Sequence, residues 1–271
     1  MLKKKYGQHF LVDPNIVRKI IGAALPLDEA TVLEVGPGDG ALTSALLAEG
    51  ALVTAVEIDR DLAFMLKKKF SGVMGFSLVE ADALKTDFTA LAKKAEARFK
   101  CVANLPYNIS GPLLIKFTEE RDAFLELILM FQKEVAERLV AAPSTPEYGS
   151  ITAVVGAFME VKKLFDVSPN CFKPRPKVWS TVLRVRPLES PLVGASLEPV
   201  YRKVVRAAFG QRRKTLANAL KTLGLGDEVI SEALKGAGID PKRRGETLDV
   251  AEFARLSEEV SAFLDSAVGG K

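Results

Sequence analysis

The chain has 271 residues, with 38 Lys and Arg against 34 Asp and Glu and 48% hydrophobic residues; at roughly 100–200 residues per domain that is one large domain, or a large one plus a small one. A single histidine (His9) and two cysteines seventy positions apart (Cys101, Cys171) exclude a Cys/His metal cluster and a disulfide framework, so no metal is expected and a reducing, cytoplasmic setting fits. No uncharged apolar run approaches the ~18–20 residues of a membrane helix, and after Lys3-Lys4-Lys5 only Phe10-Leu11-Val12 follows, too short a core for a secretory signal.

Asp13-Pro14 reads as an N-cap followed by Pro at the first helical position, and Ile16, Val17, Ile20, Ile21 and Ala24 then recur at helical spacing. Residues 31–35 form a short apolar strand that runs into Gly36-Pro37-Gly38-Asp39-Gly40, with a helix over 41–48. A strand over 51–58, a helix over 62–70 and a strand over 76–80 follow. A fourth strand, 99–103, runs straight into Asn104-Leu105-Pro106-Tyr107. Residues 112–118 read as a helix and 126–131 as a strand. Helices are expected over 133–142 and 151–159, and strands over 165–167 and 178–185. Strands alternating with helices imply an α/β fold with a mostly parallel sheet covered on both faces. After Pro187 the pattern becomes helical only. Leu197, Val200, Val204, Val205 and Ala208 mark one face, and Leu216, Leu220 and Leu223 the next, closed by Gly224. A short helix covers 229–234, and Asp249 with Glu252 has capping-box spacing before a last helix to about residue 264. With 186–191 as linker, residues 1–187 make the α/β domain and 188–271 a small all-helical domain.

Four motifs carry chemistry. Glycines directly after a strand let the backbone pass close to a ligand. The spacing at Gly36, Gly38 and Gly40 is G-x-G-x-G, not the G-x-G-x-x-G of dinucleotide folds. With Glu34 before it, this loop suits S-adenosylmethionine better than a pyrophosphate. Glu57 ends the next strand, 21 residues after Gly36, where an acid can take both ribose hydroxyls of either cofactor class; nearby Asp59 and Asp61 read as surface acids. Asp82, just past the third strand, can accept a hydrogen bond from an adenine amino group. Asn104-Leu105-Pro106-Tyr107 has the form [DNS]-[PIL]-P-[YF] at the carboxyl end of a strand, where open α/β sheets bind ligands. The Asn104 side-chain oxygen and the Leu105 carbonyl can accept the two N–H groups of an exocyclic amine, Pro106 stiffens the turn, and Tyr107 offers a stacking face.

The charge is unevenly spread. Residues 1–21 carry net +4, residues 171–186 net +5 and residues 199–221 net +7, so the other 211 residues carry −12. Basic segments on an otherwise acidic chain are the footprint of a polyanion. Arg202, Lys203 and Arg206 lie on the polar side of a helix, and Arg212, Arg213 and Lys214 follow, with no acid inside 199–221. These six are the expected phosphate-binding set.

Residues 34–40, Glu57, Asp82 and 104–107 resemble the Rossmann-like S-adenosylmethionine-dependent methyltransferases that act on exocyclic amino groups. Tyr6-Gly7-Gln8-His9-Phe10-Leu11, Phe172-Lys173-Pro174-Arg175-Pro176-Lys177-Val178 with Ser180, and residues 209–216 narrow this. Together they resemble the KsgA-type (RsmA) small-subunit rRNA adenine dimethyltransferases, from about residue 5 to residue 263. The resemblance implies that Gln8, His9 and Leu11 close over the methionine end of the cofactor, with Gly36 and Gly38 lining it. It implies Glu57 on the ribose and Asp82 with Ala83 on the adenine. Asn104 would stand between methyl donor and target amine, with Leu105, Pro106 and Tyr107 around it and Phe172 as a second aromatic wall opposite Tyr107. His9 stands where the family often has Asn, and Trp179 and Gly210 replace residues more often polar. The implied reaction is methylation, twice each, of N6 of two adjacent adenosines near the 3′ end of small-subunit (16S) rRNA during ribosome biogenesis. The implied partner is small-subunit rRNA or a pre-30S particle, and a monomer is expected. Alternatives are a catalytically weak assembly or transcription factor of the same fold and a large-subunit rRNA adenine methyltransferase of the macrolide-resistance type. A nicotinamide dehydrogenase fits neither the glycine spacing nor the lack of a proton-transfer residue.

Overall fold

Strands buried on both faces read as nearly unbroken apolar runs, and this chain places its longest ones at the centre of one sheet. The structure, a computed structural model, describes residues 9–269. In chain order it runs β1 (Phe10–Leu11), α1 (Pro14–Ala24), β2 (Thr31–Val35), α2 (Ala41–Ala48), β3 (Leu52–Glu57), α3 (Arg60–Lys69), β4 (Phe76–Glu80), α4 (Phe88–Lys94), β5 (Phe99–Asn104) and α5 (Ser110–Glu119). Then come β6 (Phe124–Gln132), α6 (Lys133–Leu139), α7 (Ser150–Gly156), β7 (Met159–Val167), β8 (Phe172–Lys173) and β9 (Ser180–Pro187). The last part is helical: α8 (Glu198–Gly210), α9 (Leu216–Leu220), α10 (Asp227–Gly236) and α11 (Val250–Gly269).

Seven strands form one sheet in the order β4-β3-β2-β5-β6-β9-β7, and β1 pairs with β8 apart from it. From β4 to β6 the pairs are parallel; β9 runs antiparallel to β6. The strand order therefore reverses between β2 and β5. Loops leaving the carboxyl ends of these two strands diverge and open a crevice, the usual ligand position in such sheets. Near the other end of the sheet lies the buried carboxylate of Glu126, held by Arg186 at 2.9 Å and by Lys100 and Arg184 at 3.5 Å. The α/β architecture and the Rossmann-like strand order agree with the fold read from the sequence.

The chain divides into two compact units, residues 1–136 with 160–187 and residues 137–159 with 188–271. The expected boundary at Pro187 differs for residues 137–159, which group with the later helices. The Tyr201 hydroxyl donates to the Ala153 carbonyl at 2.8 Å, and its ring meets Phe158 edge-on. Within this second unit, Val204, Val205, Leu216, Leu220, Ile230, Leu234, Phe253 and Leu256 make the core. The capping box at α11 forms as read: Glu252 N–H donates to Asp249 Oδ1 at 2.7 Å and Asp249 N–H to Glu252 Oε2 at 2.9 Å.

Two local expectations differ, and three short elements escape the sequence pattern. The helix expected over 151–159 stops at Gly156, and the strand expected over 165–167 begins at Met159. Glu160, Lys162 and Lys163 dilute the strand pattern, as befits an edge strand with solvated charges. The two-residue strands β1 and β8 are too short for any periodicity. Helix α4 is also absent from the pattern reading, because its seven residues end in Lys93 and Lys94. It is fixed by tertiary contacts: Phe88 is fully buried, with Phe117 and Phe124 ring centroids at 5.3 and 5.9 Å. Phe88→Ala should lower the unfolding free energy by about 3–5 kcal/mol, the cost of a buried aromatic cavity. Urea denaturation checks this; a loss below about 1 kcal/mol would mean that α4 is not docked through this ring.

Candidate active site

After Val35 the chain turns through three glycines with φ of 67°, 60° and 80° at Gly36, Gly38 and Gly40. Only glycine takes such angles without cost, and space is restricted as well. A Cβ on Gly38 would lie 2.8 Å from the Phe10 ring, and one on Gly36 would touch Pro106 at 3.4 Å. The glycine turn thus packs between the segment before α1 and the turn after β5. The Gly36 N–H donates to the Val56 carbonyl at 3.0 Å, which holds the turn against the end of β3.

These turns border a cavity of about 280 Å³ at the carboxyl ends of β2, β3 and β5. Of the expected cofactor residues, His9, Leu11, Gly36, Gly38, Glu57, Asp82, Ala83 and Asn104 all line it. So do Leu105, Pro106 and Tyr107. Glu34, Asp39, Phe10 and Ile109 line it too, although the sequence reading gives them no site role of their own. For Glu34 the signal is present in its place before the glycine turn; for Phe10 and Ile109 nothing in the local sequence marks them.

The carboxylates are held in different ways. Glu57 is 5% exposed and accepts the Asp59 N–H at 2.8 Å. Burial pushes its carboxyl up, against the lowering effect of backbone N–H groups at Asp59, Gly38 and Ile58. Glu34 is 1% exposed, and burial pushes it up to about 8 despite a 2.6 Å hydrogen bond from the Thr43 hydroxyl. Asp82 Oδ1 accepts the Leu84 N–H at 3.0 Å, which shapes the turn after β4. Asp59, expected at the surface, is instead buried and caps α3 by accepting the Asp61 N–H.

Asn104 closes β5. Its Nδ2 donates to the His9 carbonyl at 3.0 Å. A carbonyl oxygen only accepts, so the amide NH₂ must face it and Oδ1 is left as the acceptor. The His9 ring lies 5.5 Å from that of Tyr107, and its Nδ1 is 2.7 Å from the Pro174 carbonyl, so Nδ1 carries the proton. The Tyr107 hydroxyl and Ser180 Oγ are 2.6 Å apart, and burial raises the Tyr107 phenol above its ordinary range.

One expected site residue falls elsewhere. Phe172 is 4% exposed and packs in the core with Leu11, Ile128, Met130 and Val182, not on the cavity wall. In β8 it pairs with Leu11 of β1, which turns its ring inward. Gln8 lies outside the described residues. Among the basic residues of the second unit, Lys203, Arg206, Arg213 and Lys214 are exposed. Arg202 is held by Glu198 at 2.7 Å. Arg212 pairs with Glu246 at 3.3 Å and donates to the carbonyls of Pro146 and Tyr148. No acid lies inside the stretch, as read, but acids outside it reach in: Glu198 and Glu246 to these two arginines, and Asp227 to Lys221 at 2.8 Å. Among the described residues, no group of His, Cys, Asp and Glu is arranged to hold a metal, and no helix is long and apolar enough to cross a membrane.

The reversed strand order, the glycine turn and the Asn104–Tyr107 turn define a Rossmann-like methyltransferase. The whole chain is more specific: residues 1–262 match the family Ribosomal RNA adenine dimethylase, and the chain belongs to that family. It is 44% identical over 255 residues to the ribosomal RNA small subunit methyltransferase A of Clostridium botulinum (strain Loch Maree / Type A3), covering 94% of this chain and 92% of that one. Among solved structures it is similar to a dimethyladenosine transferase from Plasmodium falciparum, with a TM-score of 0.80 and 31% identity over 94% of this chain and 98% of that one. Its likeness to the 23S rRNA methyltransferase ErmE is lower, with a TM-score of 0.68 and 27% identity over 93% and 99% of the two chains.

The raised Glu34 has a consequence for stability. Its folded value of about 8 lies above its usual 4.5. Its contribution is therefore fully present below pH 4.5 and is lost as pH rises through 8. Glu34→Gln removes that loss while keeping an acceptor for Thr43. At ~1.36 kcal/mol per pH unit, the variant should be more stable than the wild type by a few kcal/mol at pH 8.5 and nearly equal at pH 4. Thermal unfolding at the two pH values reads the difference; a gap independent of pH would show that Glu34 does not titrate in this range.

Proposed function

We propose that this chain transfers methyl groups from S-adenosylmethionine to N6 of two adjacent adenosines near the 3′ end of small-subunit (16S) rRNA, dimethylating each. The observation that carries the reading is the Asn104–Tyr107 turn on the cavity wall, with the Asn104 amide nitrogen committed to His9 and Oδ1 left to accept. Membership of the rRNA adenine dimethylase family supports it.

The residues fit the cofactor. The glycine turn is a cradle that a Cβ would fill. Gly36, Gly38, His9 and Leu11 would hold the methionine end, Glu57 the ribose hydroxyls, and Asp82 with Ala83 the adenine. Buried Glu57 lines the cavity at the end of β3, where its oxygens can accept those hydroxyls. When bound, S-adenosylmethionine supplies a methyl group on a positively charged sulfonium, so positioning of the acceptor does the remaining work. An exocyclic amine is a poor nucleophile because its lone pair is delocalised into the ring. Asn104 Oδ1 and the Leu105 carbonyl accept its two N–H groups, draw the nitrogen towards tetrahedral geometry and stabilise the charge that develops on it. Pro106 limits the motion of the turn, and Tyr107, held by Ser180, offers its ring to the base. Phe172 supports the segment from inside by packing behind Leu11. The helical unit grips rRNA phosphates through Lys203, Arg206, Arg213 and Lys214.

Two measurements test this. Purified chain, S-adenosylmethionine and small-subunit particles should give dimethyladenosine in the small-subunit rRNA by mass spectrometry, and none in large-subunit rRNA. In that assay Asn104→Ala should bind cofactor and particles nearly as the wild type does while lowering single-turnover methylation by about 10²–10³, the usual cost of one preorganised polar group. Turnover within about threefold of wild type would remove Asn104 from the chemistry.

For the RNA grip, affinity for small-subunit particles should fall by orders of magnitude between roughly 50 and 200 mM salt. Changing Lys203, Arg206, Arg213 and Lys214 together to Ala should flatten that dependence and leave S-adenosylmethionine affinity unchanged. Arg212→Ala should instead act mainly on folding, lowering stability by about 1–3 kcal/mol through two carbonyls left without their charged donor. Coinciding salt slopes for wild type and the fourfold variant would place the RNA contact elsewhere.

A further inference from the structure

We infer that Trp179, with Lys173, Arg175 and Lys177, forms a second RNA-contacting element that stacks on a base flanking the target adenosine; this rests on the methyltransferase reading above. Trp179 is 51% exposed, a large apolar surface left in water. On either side of Pro176, the side chains of Lys173, Arg175, Lys177 and Val178 are exposed as well, with no acid between residues 171 and 186. Three basic side chains followed by one aromatic on an exposed segment suit a single strand, whose phosphates pair and whose bases stack.

The segment is not a loose loop. At its start β8 pairs with β1, and the Pro174 carbonyl accepts from the ring of His9, whose own carbonyl holds Asn104. At its end the Trp179 carbonyl accepts the Lys133 N–H at 2.9 Å. The next residue, Ser180, is fully buried and hydrogen-bonded to Tyr107. Both ends are thus fastened to residues that line the cavity, and Trp179 projects one residue before the partner of Tyr107. The carboxylate bonded to Thr181 does not spoil the field, since Asp166 also pairs with Lys163 at 2.9 Å and Lys133 at 3.8 Å. A rigid ridge beside the stacking tyrosine gives a neighbouring nucleotide a second platform, as suits a substrate with two adjacent target bases.

Trp179 is the only tryptophan of the chain, so its emission reports on this ridge alone. A single-stranded RNA oligonucleotide with two adjacent adenosines, titrated into the full chain with S-adenosylmethionine present, should quench that emission saturably. Trp179→Ala should raise the Kd of a fluorescein-labelled copy by about ten- to a hundredfold, and Trp179→Phe by about threefold or less, since any aromatic face stacks. Replacing Lys173, Arg175 and Lys177 together with Ala should reduce the slope of log K against log salt by about 2. Calorimetry should give unchanged S-adenosylmethionine binding in all three variants. Unquenched emission with an unchanged Kd for Trp179→Ala would overturn the ridge even while the wild type methylates small-subunit particles. An emission change that follows protein concentration and not RNA would overturn it in favour of self-association. Saturable quenching without methyl transfer to particles would keep the ridge as an RNA contact and overturn the functional reading instead.

Discussion

One hydrogen bond, from the Asn104 amide to the His9 carbonyl, decides what the site can do. A free asparagine amide presents donors and an acceptor to the cavity with equal ease. Fixing Nδ2 on a carbonyl removes that choice and leaves only the acceptor. The bond itself contributes about 1 kcal/mol to stability; its greater effect is orientation. It also ties the segment before α1 to the turn after β5. His9 is fastened in turn to Pro174 through its ring, and Tyr107 to Ser180 through its hydroxyl. Stretches of chain far apart in sequence therefore close on one amide, and none of them sets the geometry alone.

Glu34, Glu57 and Glu126 show how one residue type serves two ends of a sheet. Glu126 is buried among Lys100, Arg184 and Arg186, so its charge is matched inside the protein. Glu34 and Glu57, at the carboxyl ends of β2 and β3, are equally buried, but neutral hydroxyl and backbone donors are their close partners. For Glu34, burial outweighs the attraction of Lys69, whose ammonium donates to the Asp39 carbonyl. A buried carboxylate without a matched cation costs stability in the empty protein. Glu34 meets that cost by staying protonated up to about pH 8, where its carboxyl oxygen still accepts the Thr43 hydroxyl.

The parts of the site legible in the sequence are those fixed by local chemistry. Glycines that must take positive φ and a proline that stiffens a turn after a strand act within a few residues, so Gly36, Gly38 and the 104–107 turn could be read directly. Glu57 and Asp82 were legible because parallel strands bring every strand end to one edge. What could not be read depends on distant partners. Phe172 has the composition of a stacking wall, yet its pairing with Leu11, some 160 positions earlier, turns it into the core. Asp59 looks like a surface acid beside Asp61, but caps α3 under cover. Helix α4 exists because Phe88 finds Phe117 and Phe124, and residues 137–159 join the second unit because Tyr201 finds Ala153 and Phe158.

Charge follows the same logic. Counting along the chain gives net +5 over 171–186 and net +7 over 199–221, but a polyanion meets only cations that the fold has not already used. In the first stretch Arg184 and Arg186 pair with Glu126, and Arg184 also donates to the Ala23 carbonyl. Lys173, Arg175 and Lys177 remain outside, on the segment fastened to His9 and Tyr107. In the second, Arg202 is taken by Glu198 and Arg212 by Glu246, while Lys203, Arg206, Arg213 and Lys214 stay exposed. The arginines spent internally hold backbone carbonyls and carboxylates, which suits a planar group with several donors. Of the five lysines in the two stretches, all exposed, Lys221 pairs with Asp227 at 2.8 Å, a contact between compact charges at the surface. Fewer cations are therefore left unpaired at the surface than the linear charge suggests.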